Sequence, residues 1–434
     1  MPGEPGDTHT NSMRRTALRL PGGWRCWLAG FLLAACLLGG ELAPPPPARA
    51  SQSPAAYLSS ALAWLQANEV RTGIDWTAIR QHAASLAHGA RTLPDTYPAL
   101  RYAIDQLGDR FAFVDPGNQP NLDSGYSALY PDGTVVRIET GGPAAHAGLH
   151  LGDRILLLNG VAPKHGQGSD LVDPGAASRQ RLIVRRAGRT LALSITLIRT
   201  GSAASPPPVP TGRRIAEDGH ALGYEDITPT DGDTPYATQA QQLLRDVDRQ
   251  PACGWIIDLR QTTSGDLWSY LAATGPILGQ GTVGGFLYRD GRGQPWAYEN
   301  GQVLWNGHVR PEGQVNGPVY TLKRPLPPVA LLLDSTTEAA GEATAVAFAG
   351  RPEVRTFGEP TYGTPVFQTY MAMSDGTVLG VSGAYSYDRT GRVYRGSIVP
   401  EVRVATDWAN LGTSADPVVQ AAAGWLRNQP TCKG

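Results

Sequence analysis

Three consecutive hydroxyl side chains, Ser335, Thr336 and Thr337, stand just before two carboxylates, Glu338 and Glu342. The chain passes there from a continuous apolar run, Val329 to Leu333, into an amphipathic segment, Ala339 to Phe348. A hydroxyl on a strand-to-helix turn beside a carboxylate base can attack a carbonyl. The same hydroxyls can cap the helix, which needs no reaction. A third carboxylate, Glu359, sits in a Gly/Pro turn and is expected to order it by accepting backbone hydrogen bonds. Cysteine and histidine offer less. Of four cysteines, Cys26 and Cys36 fall in an N-terminal leader, leaving Cys253 and Cys432. In an oxidising compartment these two either bridge, tying the tail to the start of a buried strand, or remain unpaired thiols. The eight histidines are dispersed, with no cluster at ligand spacing, so neither a metal nor a cofactor is expected.

These groups need a frame, and 434 residues suffice for two or three domains with real cores. Charge is balanced, 37 Lys+Arg against 38 Asp+Glu, and the basic residues are scattered, so nucleic acid is not an expected partner. Gly 52 and Pro 36 together are about a fifth of the chain, which predicts long loops and excludes a helical bundle. Residues 1–50 read as a leader: Arg14, Arg15, Arg19 and Arg25 precede an apolar run, Trp27 to Leu38, of signal-peptide length. Two processing routes stay open, with a retained anchor as a third alternative. Leu33-Ala34-Ala35-Cys36 has the form of a lipobox, making Cys36 a lipidated first residue and a lipid the membrane anchor. Ala48-Arg49-Ala50 is instead a small-residue cleavage site that would leave Ser51 first. Either implies export, to the periplasm or cell envelope.

Beyond the leader, helical spacing of Tyr57, Leu58, Leu62 and Leu65, then Ile79, Ala83 and Leu86, predicts a helical region over 51–115. Short β-branched runs, Thr134 to Ile138, Arg154 to Leu158, Arg181 to Val184 and Leu191 to Leu197, predict a compact β-rich module over 120–200. Residues 201–212, with Pro206 to Pro208 and Pro210, read as a semi-rigid linker. The remainder, 213–434, alternates strands and helices, with Gly254 to Leu259 and Val329 to Leu333 apolar enough to be buried on both sheet faces; an α/β layer architecture follows.

Gly142-Pro143-Ala144-Ala145-His146-Ala147-Gly148-Leu149, followed by Gly152-Asp153-Arg154-Ile155 and Asn159-Gly160, resembles a PDZ domain of the bacterial protease type. Such modules bind an extended peptide as an added strand. The resemblance places that peptide along Gly125, Tyr126, Ser127, Ala128 and Leu129; a purely structural β-domain is the alternative. The large domain resembles the C-terminal processing, or tail-specific, serine peptidases. Four stretches carry the likeness: Gly254 to Arg260 with the turn Gln261 to Gly265; Glu338-Ala339-Ala340-Gly341-Glu342; Phe357-Gly358-Glu359-Pro360-Thr361-Tyr362-Gly363; and Ser397 to Val402. It implies a crotonase/ClpP-like layered α/β peptidase core behind the PDZ-like module and the N-terminal helices.

By this resemblance the nucleophile position is Ala339, whose methyl group cannot attack a carbonyl. The position of the family's lysine base is Thr364, and that of the histidine some members use is Phe111, in Leu107-Gly108-Asp109-Arg110-Phe111. In the oxyanion turn Thr262 stands for Asn and Ser264 for the first Gly. Each such loss alone typically costs orders of magnitude in rate. The amides of Ser264, Gly265 and Ala340 would still form an anion-binding niche. The resemblance therefore implies a secreted serine-peptidase-family protein that binds peptide or unfolded-protein C-termini and is catalytically degenerate. The alternative is an active endopeptidase using a displaced Ser or Thr.

Overall fold

The computed structural model describes residues 52–433 except 117–121, 124, 130–132, 140, 163–178, 200–208, 218–219, 231, 233 and 264. The expected leader, its Cys36, Ser51, most of the linker and Ser264 lie outside the described residues.

Ser53 and Asp75 start the first two helices by accepting hydrogen bonds from Ala56 N and Ala78 N. The helices Pro54–Asn68, Trp76–Leu86 and Tyr97–Gln106 turn the predicted apolar stripe inward. They do not form a separate body. Tyr57, Leu62, Leu65 and Leu100 share one core with Leu379 and Val381 of the long strand Val378–Asp388. The hydroxyls of Tyr57 and Tyr97 both donate to Asp375, at 3.0 and 2.9 Å, and Phe113–Asp115 adds as a strand beside Val378–Gly380.

The β-rich module is a five-stranded antiparallel sheet, ordered Tyr126–Leu129, Thr134–Ile138, Arg154–Leu158, Arg179–Arg186, Arg189–Thr196. Leu149 and Ile155 plug its core with Val135, Leu182 and Val184. Arg186 holds Asp153 through two 2.6 Å hydrogen bonds and donates to Gly148 O, pinning the turn between the short helix and its strand.

In the large domain two sheets sandwich helices. The first runs Val402–Arg403, Val354–Gly358, Val329–Leu333, Gly254–Asp258, His220–Asp226, Thr211–Glu217, parallel except for its last pair. Its outermost strand starts two residues inside the stretch read as linker. The second is a seven-stranded antiparallel sheet built mainly from 281–314 and 366–388, which composition and periodicity did not reveal. The helices Leu267–Leu278 and Ala340–Phe348 lie between them, packing Trp268, Leu271 and Phe348 with Trp255, Leu331 and Trp296. The other face of the parallel sheet is covered by the helix Pro417–Arg427 against Ile256, Ala330 and Leu332. The large apolar side chains among these contribute roughly 1.5–3 kcal/mol each through burial.

Of the two readings left open for the cysteines, the bridge is the one found: Cys253 and Cys432 form a disulfide, Cα atoms 5.0 Å apart, closing 179 residues of sequence. Because such a crosslink restricts the unfolded chain, Cys432→Ser is expected to lower unfolding stability by about 2–4 kcal/mol. A urea titration of oxidised wild type and variant checks this; coincident midpoints would deny the bridge that role.

Candidate functional site

The parallel strands end at three adjacent turns, at the carboxyl edge where open α/β sheets hold their ligands. The first follows Asp258 and is organised by a buried guanidinium. Arg260 donates to both oxygens of Asp258, at 2.9 and 2.6 Å, and to Asp416 at 2.8 Å, while the Tyr224 hydroxyl donates to Asp258 at 2.7 Å. Burial opposes its charge, yet these carboxylates hold its pKa above the ordinary value. Asp416 receives N–H groups of Gly412, Val418 and Val419, capping the Pro417–Arg427 helix. Burial pushes its carboxyl up, but Arg260 and the amides outweigh that and hold it below the usual range. Past Arg260 the backbone takes left-handed φ at Gln261 (63°) and Gly265 (118°). A Cβ at Gly265 would lie 1.9 Å from the Tyr270 hydroxyl, so only glycine fits.

The second turn carries the hydroxyls. Thr336 Oγ1 donates to Asp334 at 2.6 Å and accepts from Gln261 N at 2.6 Å; Thr337 Oγ1 donates to Leu259 O at 3.0 Å. These groups lace the two turns together, and the capping expected of Thr337 or Ser335 does not occur: the N-cap is Ala339, with no side-chain capping bond. Thr337 Oγ1 instead accepts from Asp334 N at 3.1 Å, a partner on the near side of the turn rather than in the helix. Ala339 is half-buried at φ 49°, ψ −106°, a conformation an alanine adopts only under constraint. Glu338 N donates to Thr262 O and Gly341 N to Glu338 O, fixing the strained residue from both sides. Among the described residues, the amides of Gly265 and Ala340 donate to no group.

The third turn is held by Glu342. Its carboxylate accepts from the Thr361 hydroxyl, from Gly363 N (2.8 Å), and from Thr364 N (2.7 Å) and Oγ1 (3.1 Å). Burial pushes this carboxyl up and the hydrogen bonds pull it back, leaving it raised. Thr364 is thus fully buried and engaged, and Glu359, as expected, orders its loop by accepting from Thr406 N. Phe111 is buried too, its backbone N donating to Asp109.

Two residues at this site were not singled out from sequence. Arg110, beside Phe111, lies 4.2 Å over the Tyr362 ring and donates to Tyr362 O at 2.6 Å. Its charge acts on Glu338, whose half-buried carboxyl makes no hydrogen bond among the described residues. Burial and then the charge of Glu342 push Glu338 up to about 8, against the pull of Arg110. Arg110 and Tyr362 are 252 residues apart, and only their places inside the two matched segments hinted at them. The β-rich module reaches the site as well: Gln261 Nε2 donates to Val136 O at 2.7 Å, and Gly152 packs on Trp408. The backbone of Tyr126–Leu129 forms an outer strand of that module, paired with Thr134–Ile138.

A parallel sheet whose carboxyl edge presents a strained strand-to-helix turn beside a glycine turn with open amides defines a peptidase-type scaffold. Residues 222–404 match peptidase family S41. The carboxyl-terminal-processing protease of Synechocystis sp. is 24% identical over 362 residues, 77% of this chain and 78% of that protein. The nisin-resistance protein of Lactococcus lactis subsp. lactis is 26% identical over 175 residues, 40% of this chain, a match spanning about half (53%) of that relative's length. Among solved structures, the photosystem II D1 C-terminal processing protease superposes with TM-score 0.55 at 20% identity, covering 86% of this chain and 98% of that one. A lipoprotein from Streptococcus agalactiae superposes with TM-score 0.52 at 16% identity, covering 90% and 99%. The fold is that of the S41 proteases: N-terminal helices, a β-rich module and a mixed α/β core.

Two outcomes follow from the buried charges. Asp416→Asn keeps a capping side chain but removes one counter-charge of Arg260, and is expected to cost on the order of 3 kcal/mol of stability in a denaturant titration. For Glu338, a carboxyl raised in the folded state contributes stability that is complete below its unfolded pKa, about 4.3, and is lost as pH rises through about 8. Glu338→Gln should therefore gain in Tm relative to wild type as pH goes from 5 to 9; parallel melting curves would show that Glu338 is not so perturbed.

Proposed function

We propose that the chain is an exported, tail-specific-protease-like protein that engages peptide C-termini without cleaving them by the family mechanism. The observation that carries this reading is Ala339, a side chain without a nucleophile at the strained helix-start turn. Its surroundings agree: Phe111 offers no base, and the hydroxyl of Thr364 is committed to Glu342. The amides of Gly265 and Ala340, with that of Ser264 next to Gly265 in sequence, would serve as a niche for a peptide carboxylate or carbonyl. The strand from Gly125 to Leu129 in the PDZ-like module would take the extended peptide, and the contact of Gln261 with Val136 would link the two. Export is supported by the disulfide and by the leader, whose Cys36 or Ser51 would become the mature first residue.

A second reading is favoured by one observation. Glu338, its carboxyl pushed up to about 8, lies three residues from half-buried Ser335, which unlike Thr336 and Thr337 makes no side-chain hydrogen bond among the described residues. A displaced serine with a carboxylate base is the chemistry this would support.

Incubating the purified protein with unstructured peptides bearing apolar C-termini separates the two. The first reading expects binding that weakens on amidation of the peptide terminus, no cleavage, and no activity from Ala339→Ser alone because Phe111 and Thr364 stand where the family's bases would be. Cleavage abolished by a serine-directed inhibitor and by Ser335→Ala would overturn it in favour of the second.

A further inference from the structure

A cleft of about 770 Å³ opens between the N-terminal helices and the antiparallel sheet, within the roughly 300–1,000 Å³ typical of small-ligand sites. None of Glu338, Ala339, Glu342, Arg110 and Tyr362 lines it. Its polar lining is lopsided: Arg71, Arg289 and Arg395 face a single acid, Asp75, whose carboxylate already caps a helix by accepting from Ala78 N.

The three guanidiniums are held in different ways, and none of those ways consumes the cleft's positive charge completely. Arg71 is anchored from behind by buried Glu69 and Asp109, at 3.1 and 2.9 Å. Burial, then the charge of Asp109, pushes the Glu69 carboxyl up to about 7, so near neutral pH that pair is not fully ionised. Arg289 donates to the carbonyls of Gln66 and Ala67, at 2.8 and 3.4 Å, where the Pro54–Asn68 helix ends, and has no carboxylate partner among the described residues. Arg395 is exposed, 5.3 Å over the Tyr385 ring, and likewise meets no carboxylate at ion-pair distance among the described residues. Between them, the rings of Tyr102, Tyr288 and Tyr385 and the side chains of Ile74 and Leu287 supply apolar wall.

Convergent guanidinium forks match the planar oxygens of a carboxylate or phosphate, and flat aromatic walls match a ring or an apolar body. We propose that this cleft is a binding site for a small anionic ligand, a carboxylate or phosphate carried on an aromatic or apolar body, distinct from the Ala339 turn. Arg395 is its reporter, because it supports no other part of the fold through an ion pair.

Calorimetric titration of the whole protein with N-acetylphenylalanine, phenyl phosphate and uncharged N-acetylphenylalaninamide tests this. At least one anion is expected to bind, and the amide to bind at least about ten-fold more weakly. Arg395→Gln should weaken the anion about ten-fold with an unchanged melting curve, whereas Arg110→Gln should leave it untouched. The tighter of the two anions tells a carboxylate ligand from a phosphate. Failure of both anions to bind, equal binding of the amide, indifference to Arg395→Gln, or loss on Arg110→Gln, which would put the ligand at the Ala339 turn, would each overturn the assignment.

Discussion

One guanidinium holds the carboxyl edge of the parallel sheet together. Arg260 sits in the protein interior, where an unpaired charge would be untenable, and is tolerated because Asp258 and Asp416 share it while Tyr224 satisfies Asp258 further. The consequence is geometric. Asp258 closes a central strand and Asp416 begins the C-terminal helix, so the cation fixes the turn from Gln261 to Gly265 relative to a helix more than 150 residues away. The Cys253–Cys432 bridge secures the other end of the same strand to the segment after that helix. A turn clamped at both removes can hold the left-handed backbone of Gln261 and Gly265 without relaxing.

The strained residue at 339 depends on that clamp. Thr336 and Thr337 spend their hydroxyls on Gln261 and Leu259, so the nucleophile-type turn is tied to the turn that Arg260 positions. From the far side, Glu342 draws the segment Thr361 to Thr364 onto the start of the helix with four hydrogen bonds. A buried carboxylate with this many donors is an expensive local arrangement, and it is present although the residue it flanks is alanine. The shape of the turn is thus set by Arg260, Thr337 and Glu342 and does not depend on the alanine side chain at 339.

Much of this was legible in the sequence where burial dictates composition. Gly254 to Asp258 and Val329 to Leu333 are strands covered on both faces, which leaves them nothing but apolar choices. The turns at Gly148, Gly152 and Gly265 were readable because their backbone excludes other residues. The antiparallel sheet was not readable. Its strand Gly281–Tyr288 carries Gly284 and Gly285 because Trp296 and Tyr387 fill the space a Cβ would need, which erases the alternation that marks a strand. The hydroxyls of Ser335 or Thr337 were read as caps since local sequence cannot show the carbonyl of Leu259, some 78 residues before Thr337. Arg110 was passed over for the same reason: its meaning lies in Tyr362, supplied by another segment.

The electrostatics of the site follow from the groups that surround the turn. Near the turn this chain presents the buried ring of Phe111 and, next to it, the guanidinium of Arg110. Arg110 cannot act as a base, but it pulls against burial and Glu342, which together still leave the Glu338 carboxyl at about 8. The Glu338 carboxyl therefore lies between a carboxylate that opposes its ionisation and a cation that favours it, and an anion arriving at the amides of Gly265 and Ala340 would add to the first influence. Binding of a carboxylate there should be favoured by the open amides and resisted by ionised Glu338. An anion held there would keep Glu338 protonated, which couples any binding at the open amides to the pH range around 8 where that carboxyl loses its proton.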